Sequence, residues 1–157
     1  MTEQRQHITI PGGPTPETTR PGLVLSLDTI RLVAQPLNTD KNDADLPTNH
    51  SWSISIEQPH THVDGSTRYV MLGDYVMSAG LWFVGTTSRL IFSTPEVTQG
   101  NAPDIKEIVD RYAEWGAHLL WHQAITSARV AASQCLEAHR ALGAIPTMMP
   151  DAHIVLA

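Results

Sequence analysis

The sequence predicts an α+β fold: a four-stranded antiparallel sheet (a meander) followed by a short and a long helix packed on one face. Two observations predict it. Apolar and polar residues alternate along four segments before residue 97, as in strands with one buried face. From Asp104 onward the apolar residues instead recur every three or four positions, as in a helix. Strands followed by helices are typical of α+β layer arrangements.

The four predicted strands follow one another closely, and this favours a meander. They cover residues 23–37, 51–58, 67–80 and 81–97. In the first, LVLSLDTIRLVAQPL, the alternation slips by one residue between Leu27 and Ile30, which predicts a β-bulge or a bend. Asp64 and Gly65 supply a turn signal between the second and third strands.

The helical part is predicted to start at Pro103 and Asp104, with Glu107 as an acidic residue of the first turn. Gly116 interrupts the apolar stripe, so we expect a short helix and then a long, alanine-rich one over residues 117–142. The chain thus predicts two helical segments after the sheet.

The chain length of 157 residues fits one domain. Residues 1–21 are rich in Pro, Gly and Thr and contain few apolar side chains, so we expect a flexible tail. Residues 22–150 form the predicted α+β domain, and residues 151–157 form a C-terminal arm after the prolines at 146 and 150.

Composition excludes several classes of function. The formal net charge is −6, and ten scattered basic residues argue against nucleic-acid binding. We expect no membrane insertion, because no apolar run approaches the roughly 18 residues that span a bilayer. Cys135 is the only cysteine and the first residues do not resemble a secretory signal, so the sequence predicts a cytoplasmic protein.

The stretch PHTHVDG, residues 59–65, is the strongest candidate for metal chemistry. His60 and His62 would lie on one face of an extended strand, where they could share a metal ion with Asp64 in a small metal-dependent hydrolase. The alternative is a hairpin tip, since proline, aspartate and glycine are turn formers. A third histidine ligand would have to come from His50, His118 or His122.

Nucleophilic catalysis has one further candidate. Cys135 precedes His139 by four residues in the predicted long helix, a spacing that a Cys–His dyad could use. No cluster of positive charge surrounds the cysteine, and a free cysteine is often only a small buried hydrophobe. The motifs of serine hydrolases, P-loops and dinucleotide sites are absent from the sequence.

The C-terminal half resembles the SecB family of export chaperones. In LLWHQAITSARVAASQCLEAHRALGAIPTMMP, residues 119–150, a helix with an aromatic residue and an arginine leads to an apolar-Pro-x-apolar arm. The element order also matches, so that the resemblance covers about residues 23–150. The residues that match the family's pattern are Trp121, Arg129, Ile145, Pro146, Met148 and Met149.

The resemblance implies a chaperone without a catalytic residue or a cofactor. Its partners would be unfolded polypeptides, held in apolar grooves between the sheet and the helices. The candidate groove residues are Trp52, Tyr75, Trp82, Phe83, Trp115, Trp121 and Met148. The resemblance also implies a homo-oligomer, a dimer or a tetramer, that assembles through strand edges and the long helix. Surplus tryptophan and methionine independently favour an oligomer interface.

Two further expectations complete the sequence analysis. Acidic residues on the solvent-facing side of the sheet could meet a translocase motor in protein export, as the resemblance implies; the candidates are Asp28, Glu57 and Asp74. A structural or oligomeric protein of phage type is a third, less defined class.

Overall fold

The computed structural model describes residues 8–17, 20–37, 40, 42, 46–134 and 143–157. These residues form seven strands and two helices. The strands are β1 (Ile8–Ile10), β2 (Leu23–Pro36), β3 (Asn49–Ile56), β4 (His60–Thr61), β5 (Thr67–Ala79), β6 (Trp82–Ser93) and β7 (Ala152–Leu156), and the helices are α1 (Pro95–Thr98) and α2 (Ile105–Ser133).

The strands form one mixed sheet in the order β1-β7-β3-β5-β6-β2, and β4 pairs with β5 beside this path. The four predicted strands correspond to β2, β3, β5 and β6, but the predicted four-stranded meander is wrong. β2 pairs with β6 instead of β3, and β1 and β7 extend the other side of the sheet. The pairing places Leu27 opposite Leu90 and Ala34 opposite Val84, which continues the apolar layer of β6.

The predicted bulge in β2 is confirmed. The register against β6 shifts between Thr29 and Arg31, and a second shift lies between Val24 and Ser26. A bulge inserts one extra residue into one strand of a pair. Side chains on either side of the bulge can therefore lie on the same face of the sheet although an odd number of positions separates them. This feature sets which β2 residues share a face.

Two strands lie in segments for which the sequence predicted no strand. Residues 8–10, assigned above to a flexible tail, form β1, and the C-terminal arm contains β7. β7 lies between β1 and β3. Ile154 is opposite Ile8 of β1 in the antiparallel pair and opposite Ile54 of β3 in the parallel pair. Ile154 is fully buried, so both chain ends contribute to the core.

Helix α2 begins as predicted, with a capping box. The Asp104 side chain accepts a hydrogen bond from the Glu107 N–H at 2.9 Å, and the Glu107 carboxylate accepts one from the Asp104 N–H at 3.1 Å. These two bonds satisfy donors that every helix start leaves without a partner. The described helix ends at Ser133, and Cys135, His139 and the rest of the predicted helix lie outside the described residues.

The predicted interruption at Gly116 is wrong. α2 is continuous through this residue, and α1 is a single turn of four residues. A Cβ atom at position 116 would stand 2.5 Å from the sulfur of Met71. The glycine therefore allows the helix to approach the sheet closely, a packing reason that apolar spacing alone does not reveal.

The core lies between α2 and one face of the sheet. Every second residue of β5 from Tyr69 to Ala79 is buried on this face, and α2 contributes a stripe from Ile108 to Ala132. The Tyr69 hydroxyl donates to the Pro103 carbonyl at 2.9 Å, so its polar end is satisfied although burial raises its pKa to about 12. The layer arrangement is that of an amphipathic helix on a sheet.

Between β1 and β2, which lie at opposite edges of the sheet, the described residues contact α2; we call them the crossing segment. The crossing segment consists of residues 11–17 and 20–22. Gly13 N–H donates to the Met149 carbonyl at 2.8 Å, and the Thr15 hydroxyl lies 3.5 Å from His118 Nδ1 and 3.3 Å from His122 Nε2. The segment is therefore attached to the helix near its middle.

The crossing segment is also anchored near β2. Arg20 forms an ion pair with Glu96 at 2.5 Å, and its guanidinium lies 5.7 Å from the ring centroid of Tyr112. The Tyr112 hydroxyl donates to Glu96 at 2.7 Å and holds the pKa of this carboxyl below its usual value. Arg111 adds a second cation at 3.6 Å from the same carboxylate.

His118 makes stability depend on pH. It is 4% exposed, and burial is the main cause of its lowered pKa; Glu114 opposes this shift and His122 adds to it. The unfolded chain therefore binds a proton at this histidine more readily than the folded chain does. The contribution to the free energy of unfolding is complete above the ordinary histidine pKa of about 6.5, and it is lost as the pH falls below that value.

We therefore expect His118→Gln to flatten the decrease in urea midpoint between about pH 7 and pH 5. His122→Gln is the matched control, because His122 is exposed on the same helix and contacts the same threonine. An unchanged slope in His118→Gln would contradict the assignment.

Candidate interaction surfaces

The predicted client-binding residues do not form one groove. Trp52, Tyr75 and Trp121 are at most 2% exposed and belong to the core. Trp82, Phe83 and Trp115 are half-buried, and Met148 is 60% exposed in a separate C-terminal segment. The structure thus separates the seven residues into core and surface positions.

The three buried aromatic residues pack on one another. The Trp121 ring lies 5.3 Å from those of Trp52 and Tyr75, close to edge-on in both pairs. The Tyr75 hydroxyl and the Trp52 indole N–H have no hydrogen-bond partner among the described residues, and burial raises the pKa of Tyr75. This cluster joins α2 to β3 and β5, so its role is structural.

The histidine pair lies in a hairpin. His60 is in β4 and contacts Glu57 at 3.3 Å, and the turn closes with Gly65 N–H donating to the His62 carbonyl at 2.9 Å. Asp64 accepts hydrogen bonds from the backbone and hydroxyl of Ser66, which lower its pKa. The aspartate thus stabilises the turn.

No third ligand joins the histidine pair within the described residues. His50 lies in β3, and His118 and His122 lie on α2 beside the crossing segment. The part of the chain that the structure describes contains no group of three or more His, Cys, Asp or Glu that could hold a metal ion. The predicted metal-binding residues are therefore not brought together with a third histidine.

The face of the sheet opposite α2 is here called the open face. Among the described helices only α2 packs broadly on the sheet, and it does so on the other side. The cross-strand register places seven half-buried apolar side chains on the open face. They are Val33, Val70, Leu72, Val76, Phe83, Ile91 and Val155.

The apolar side chains of the open face form two bands. Val70 is opposite Ile91, with Leu72 beside them, and the second band contains Val76 and Phe83. Between the bands the Thr87 hydroxyl donates to Asp74 at 2.5 Å, opposite Ser53 on β3. A hollow of about 160 Å³ adjoins the second band; it is lined by Asn49, His50, Ser51, Val76, Ser78 and Phe83.

The outer edge of β2 is the other distinctive surface. β2 pairs only with β6 among the described strands, so one row of its backbone groups has no strand partner there. Five of its apolar side chains are about half exposed: Leu23, Val24, Leu25, Ile30 and Leu32. α2 lies close behind this edge, because Thr29 contacts Ser127 at 2.6 Å and Gln123 at 2.9 Å.

Charges on β2 are placed asymmetrically. Asp28 accepts from the Ser26 hydroxyl at 2.5 Å and from Arg89 at 3.1 Å, and these two bonds lower its pKa. Arg31 is exposed and has no ion pair with an acidic residue in the described part of the chain. The edge therefore carries a fixed carboxylate and an available guanidinium three residues apart.

A larger cleft of about 510 Å³ lies between β1, the crossing segment and α2. Its apolar floor includes Ile10 and Val109, and both Arg20 and Arg111 line it. These arginines already pair with Glu96, and Arg111 also pairs with Glu107 at 3.3 Å. Two acidic residues also line the cleft, Asp110 and Glu114, and neither forms an ion pair among the described residues.

The sequence interpretation missed both surfaces, although each leaves a signal. Val70, Leu72 and Val76 occupy the alternate positions of a strand whose other positions are also apolar, so β5 has apolar residues on two faces. In β2, residues 27–32 (LDTIRL) place one acidic and one basic residue symmetrically between two leucines. The segment is therefore complementary in charge to the same segment read in the opposite direction.

None of the described helices combines sufficient length with sufficient apolar character to cross a membrane. Comparison with known proteins adds no relative: no family model, no curated protein and no solved structure matches this chain.

Proposed function

We propose that the protein is a SecB-like chaperone that binds non-native polypeptide on the open face. The observation that supports this proposal is the set of seven half-buried apolar side chains on a sheet face that no described element covers. The solvent side of an antiparallel sheet is usually polar. Apolar area beyond that pattern typically marks a surface for a partner.

The composition of the open face suits unfolded chains better than one defined ligand. Separate apolar bands give several weak contacts, and each Å² of apolar surface removed from water contributes about 25 cal/mol. The hollow beside Val76 and Phe83 can receive one apolar side chain of the client. Hydroxyls between the bands, such as those of Ser53 and Thr87, can meet the client's backbone groups. Binding of this kind requires no catalytic residue.

A role in protein export is the more specific part of the proposal. Asp28 and Asp74 lie on the open face beside these bands, where they could meet a basic region of a translocase motor. Asp28 is already paired with Arg89, and Glu57 lies near His60. A motor would therefore have to compete with internal partners.

The test is suppression of aggregation of an unfolded client by the wild-type chain and by Val76→Ser/Phe83→Ser. We expect the double variant to bind the client at least about tenfold more weakly, because burying one such side chain contributes about 1.5–3 kcal/mol. Val63→Ser is the matched control, since Val63 is fully exposed at the hairpin tip.

Circular dichroism must show that both variants are folded. The proposal would be contradicted by a wild-type chain that fails to suppress aggregation, or by a double variant that binds the client as tightly as the wild type does. Stoichiometric zinc that is lost in His60→Ala and in His62→Ala would instead favour the metal-dependent hydrolase.

A further inference from the structure

We propose that His118 and His122 bind one Zn²⁺ ion, with the Thr15 hydroxyl of the crossing segment as the oxygen donor beside them. The site lies where the crossing segment contacts α2, on the other side of the sheet from the open face. It is also separate from the hairpin pair His60 and His62, which belongs to β4 and its turn. The proposal therefore does not depend on client binding, and it differs from the hydrolase site that the sequence suggested.

The first argument is that two ring nitrogens converge on one atom. The Thr15 Oγ1 atom lies 3.5 Å from His118 Nδ1 and 3.3 Å from His122 Nε2. Histidines four residues apart project from the same face of a helix, and this spacing allows two imidazoles to share a metal ion. Imidazole nitrogen is a ligand that suits zinc well. Two nitrogen donors and one oxygen donor therefore surround a common point.

The second argument is the length of these two contacts. Zinc bonds of about 2.0–2.1 Å at tetrahedral angles place neighbouring donor atoms about 3.3–3.4 Å apart, whereas octahedral angles would place them about 3.0 Å apart. The observed separations of 3.3 and 3.5 Å match the tetrahedral arrangement. Hydrogen bonds between nitrogen and oxygen are typically about 2.9–3.0 Å long, so direct hydrogen bonding explains the spacing less well.

The third argument is the charge around the histidines. No lysine or arginine lies between Arg111 and Arg129 in the sequence, so α2 places no cation within one turn of either histidine. Glu114 lies one turn before His118; it is exposed and forms no ion pair among the described residues. Residues four apart share a helix face, so this carboxylate lies on the side of the site and attracts a dication.

The fourth argument is that the helix fixes one ligand and leaves the other accessible. His118 is 4% exposed, and its neighbours Ala117 and Leu120 are fully buried in the core. The position of this ring is therefore determined before a metal ion arrives, which favours tight binding. His122 is exposed, so an ion can reach the site from solvent.

A zinc ion at this site would connect two distant parts of the chain. Thr15 belongs to the segment between β1 and β2, and both histidines belong to the middle of α2. Three protein donors leave the fourth tetrahedral position to water. The set includes only two residues of the His, Cys, Asp and Glu class. It is therefore compatible with the absence, in the described part of the chain, of a metal-binding group of three such residues.

The experiment is a calorimetric titration of ZnCl₂ into the whole, untagged chain after treatment with a chelator. We expect one Zn²⁺ per chain. His122→Gln should raise the dissociation constant by roughly 100-fold, because an amide replaces an imidazole ligand at an exposed position that the fold does not need. Thr15→Val should raise it by roughly tenfold, since the oxygen donor is lost. MgCl₂ should not compete, because Mg²⁺ prefers oxygen ligands.

His62→Gln is the matched control, because it makes the same change in the hairpin pair and should leave the zinc titration unaltered. Co²⁺ in place of Zn²⁺ should give the intense visible absorption bands of tetrahedral cobalt, and His118→Gln should remove them. Circular dichroism must show that each variant is folded. The proposal would be overturned by a chain that binds no zinc, by an unchanged affinity in His122→Gln or Thr15→Val, by zinc binding that His62→Gln abolishes, or by the weak bands of six-coordinate cobalt.

Discussion

Replacing Trp121 by alanine should lower the free energy of unfolding by about 3–5 kcal/mol, the usual cost of truncating a buried tryptophan. Trp121 is 2% exposed and contacts both Trp52 and Tyr75 edge-on, so its removal leaves a cavity between α2 and the sheet. Domains are typically stable by only 5–15 kcal/mol, and the variant is therefore expected to be marginal. Urea unfolding followed by circular dichroism measures the change.

Trp82→Ala is the matched control. Trp82 is half-buried at the start of β6, so its truncation should cost clearly less than that of Trp121. A Trp121→Ala chain that keeps wild-type stability but no longer binds unfolded polypeptide would contradict the structural role. It would also restore this residue to the client-binding groove that the sequence suggested.

Ending the chain after Asp151 should destabilise it more than Trp121→Ala does. The deletion removes β7, which is hydrogen-bonded to β1 on one side and to β3 on the other. Fully buried Ala152 and Ile154 are lost, and the backbone groups of β3 lose their partners. Each backbone hydrogen bond lost to β7 costs about 0.5–1.5 kcal/mol net, because water replaces part of it. We expect no cooperative unfolding transition at 25 °C.

The control for this deletion is His153→Ser in the full chain. His153 belongs to β7 but is exposed, so the substitution should change the urea midpoint little. A shortened chain that unfolds cooperatively at the wild-type midpoint would show that β7 is an accessory arm, as the sequence interpretation had it.

Local patterns account for what the sequence predicted well. Strands β3 and β5 alternate regularly because one face of each contacts α2, and this period is visible without knowing the partner. The start of α2 was predictable because a capping box uses residues only three apart, Asp104 and Glu107. The bulge in β2 was predictable because the slip in the alternation lies within a few neighbouring residues, between Leu27 and Ile30.

Strand order was not predictable, because it depends on partners far apart in the chain. Nothing local in β2 shows that it pairs with β6 instead of β3. β1 contains three residues and β7 five, and neither is long enough to display a period. β1 pairs only with β7 among the described strands, and Ile8 and Ile154 meet across 146 positions of sequence; β7 also pairs with β3, about 100 positions away.

The candidate site was misread for a related reason. The alternation that identifies a strand also tells which residues are buried, and in β3 Trp52 shares its face with Ile54 and Ile56. That face packs on α2, so Trp52 belongs to the core and not to a groove. Phe83 differs, because the register with β5 places it on the opposite face. Aromatic content alone could not separate these two roles.

The position of β7 has a consequence for synthesis on the ribosome. Strands β3, β5 and β6 can pair as soon as they emerge, since their connections are short. β1 precedes them in the chain but has no described strand neighbour until β7 inserts between it and β3. Contacts between the two ends of a chain slow folding, because a long loop must close first. β1 must therefore wait for the synthesis of β7 before it can join the sheet.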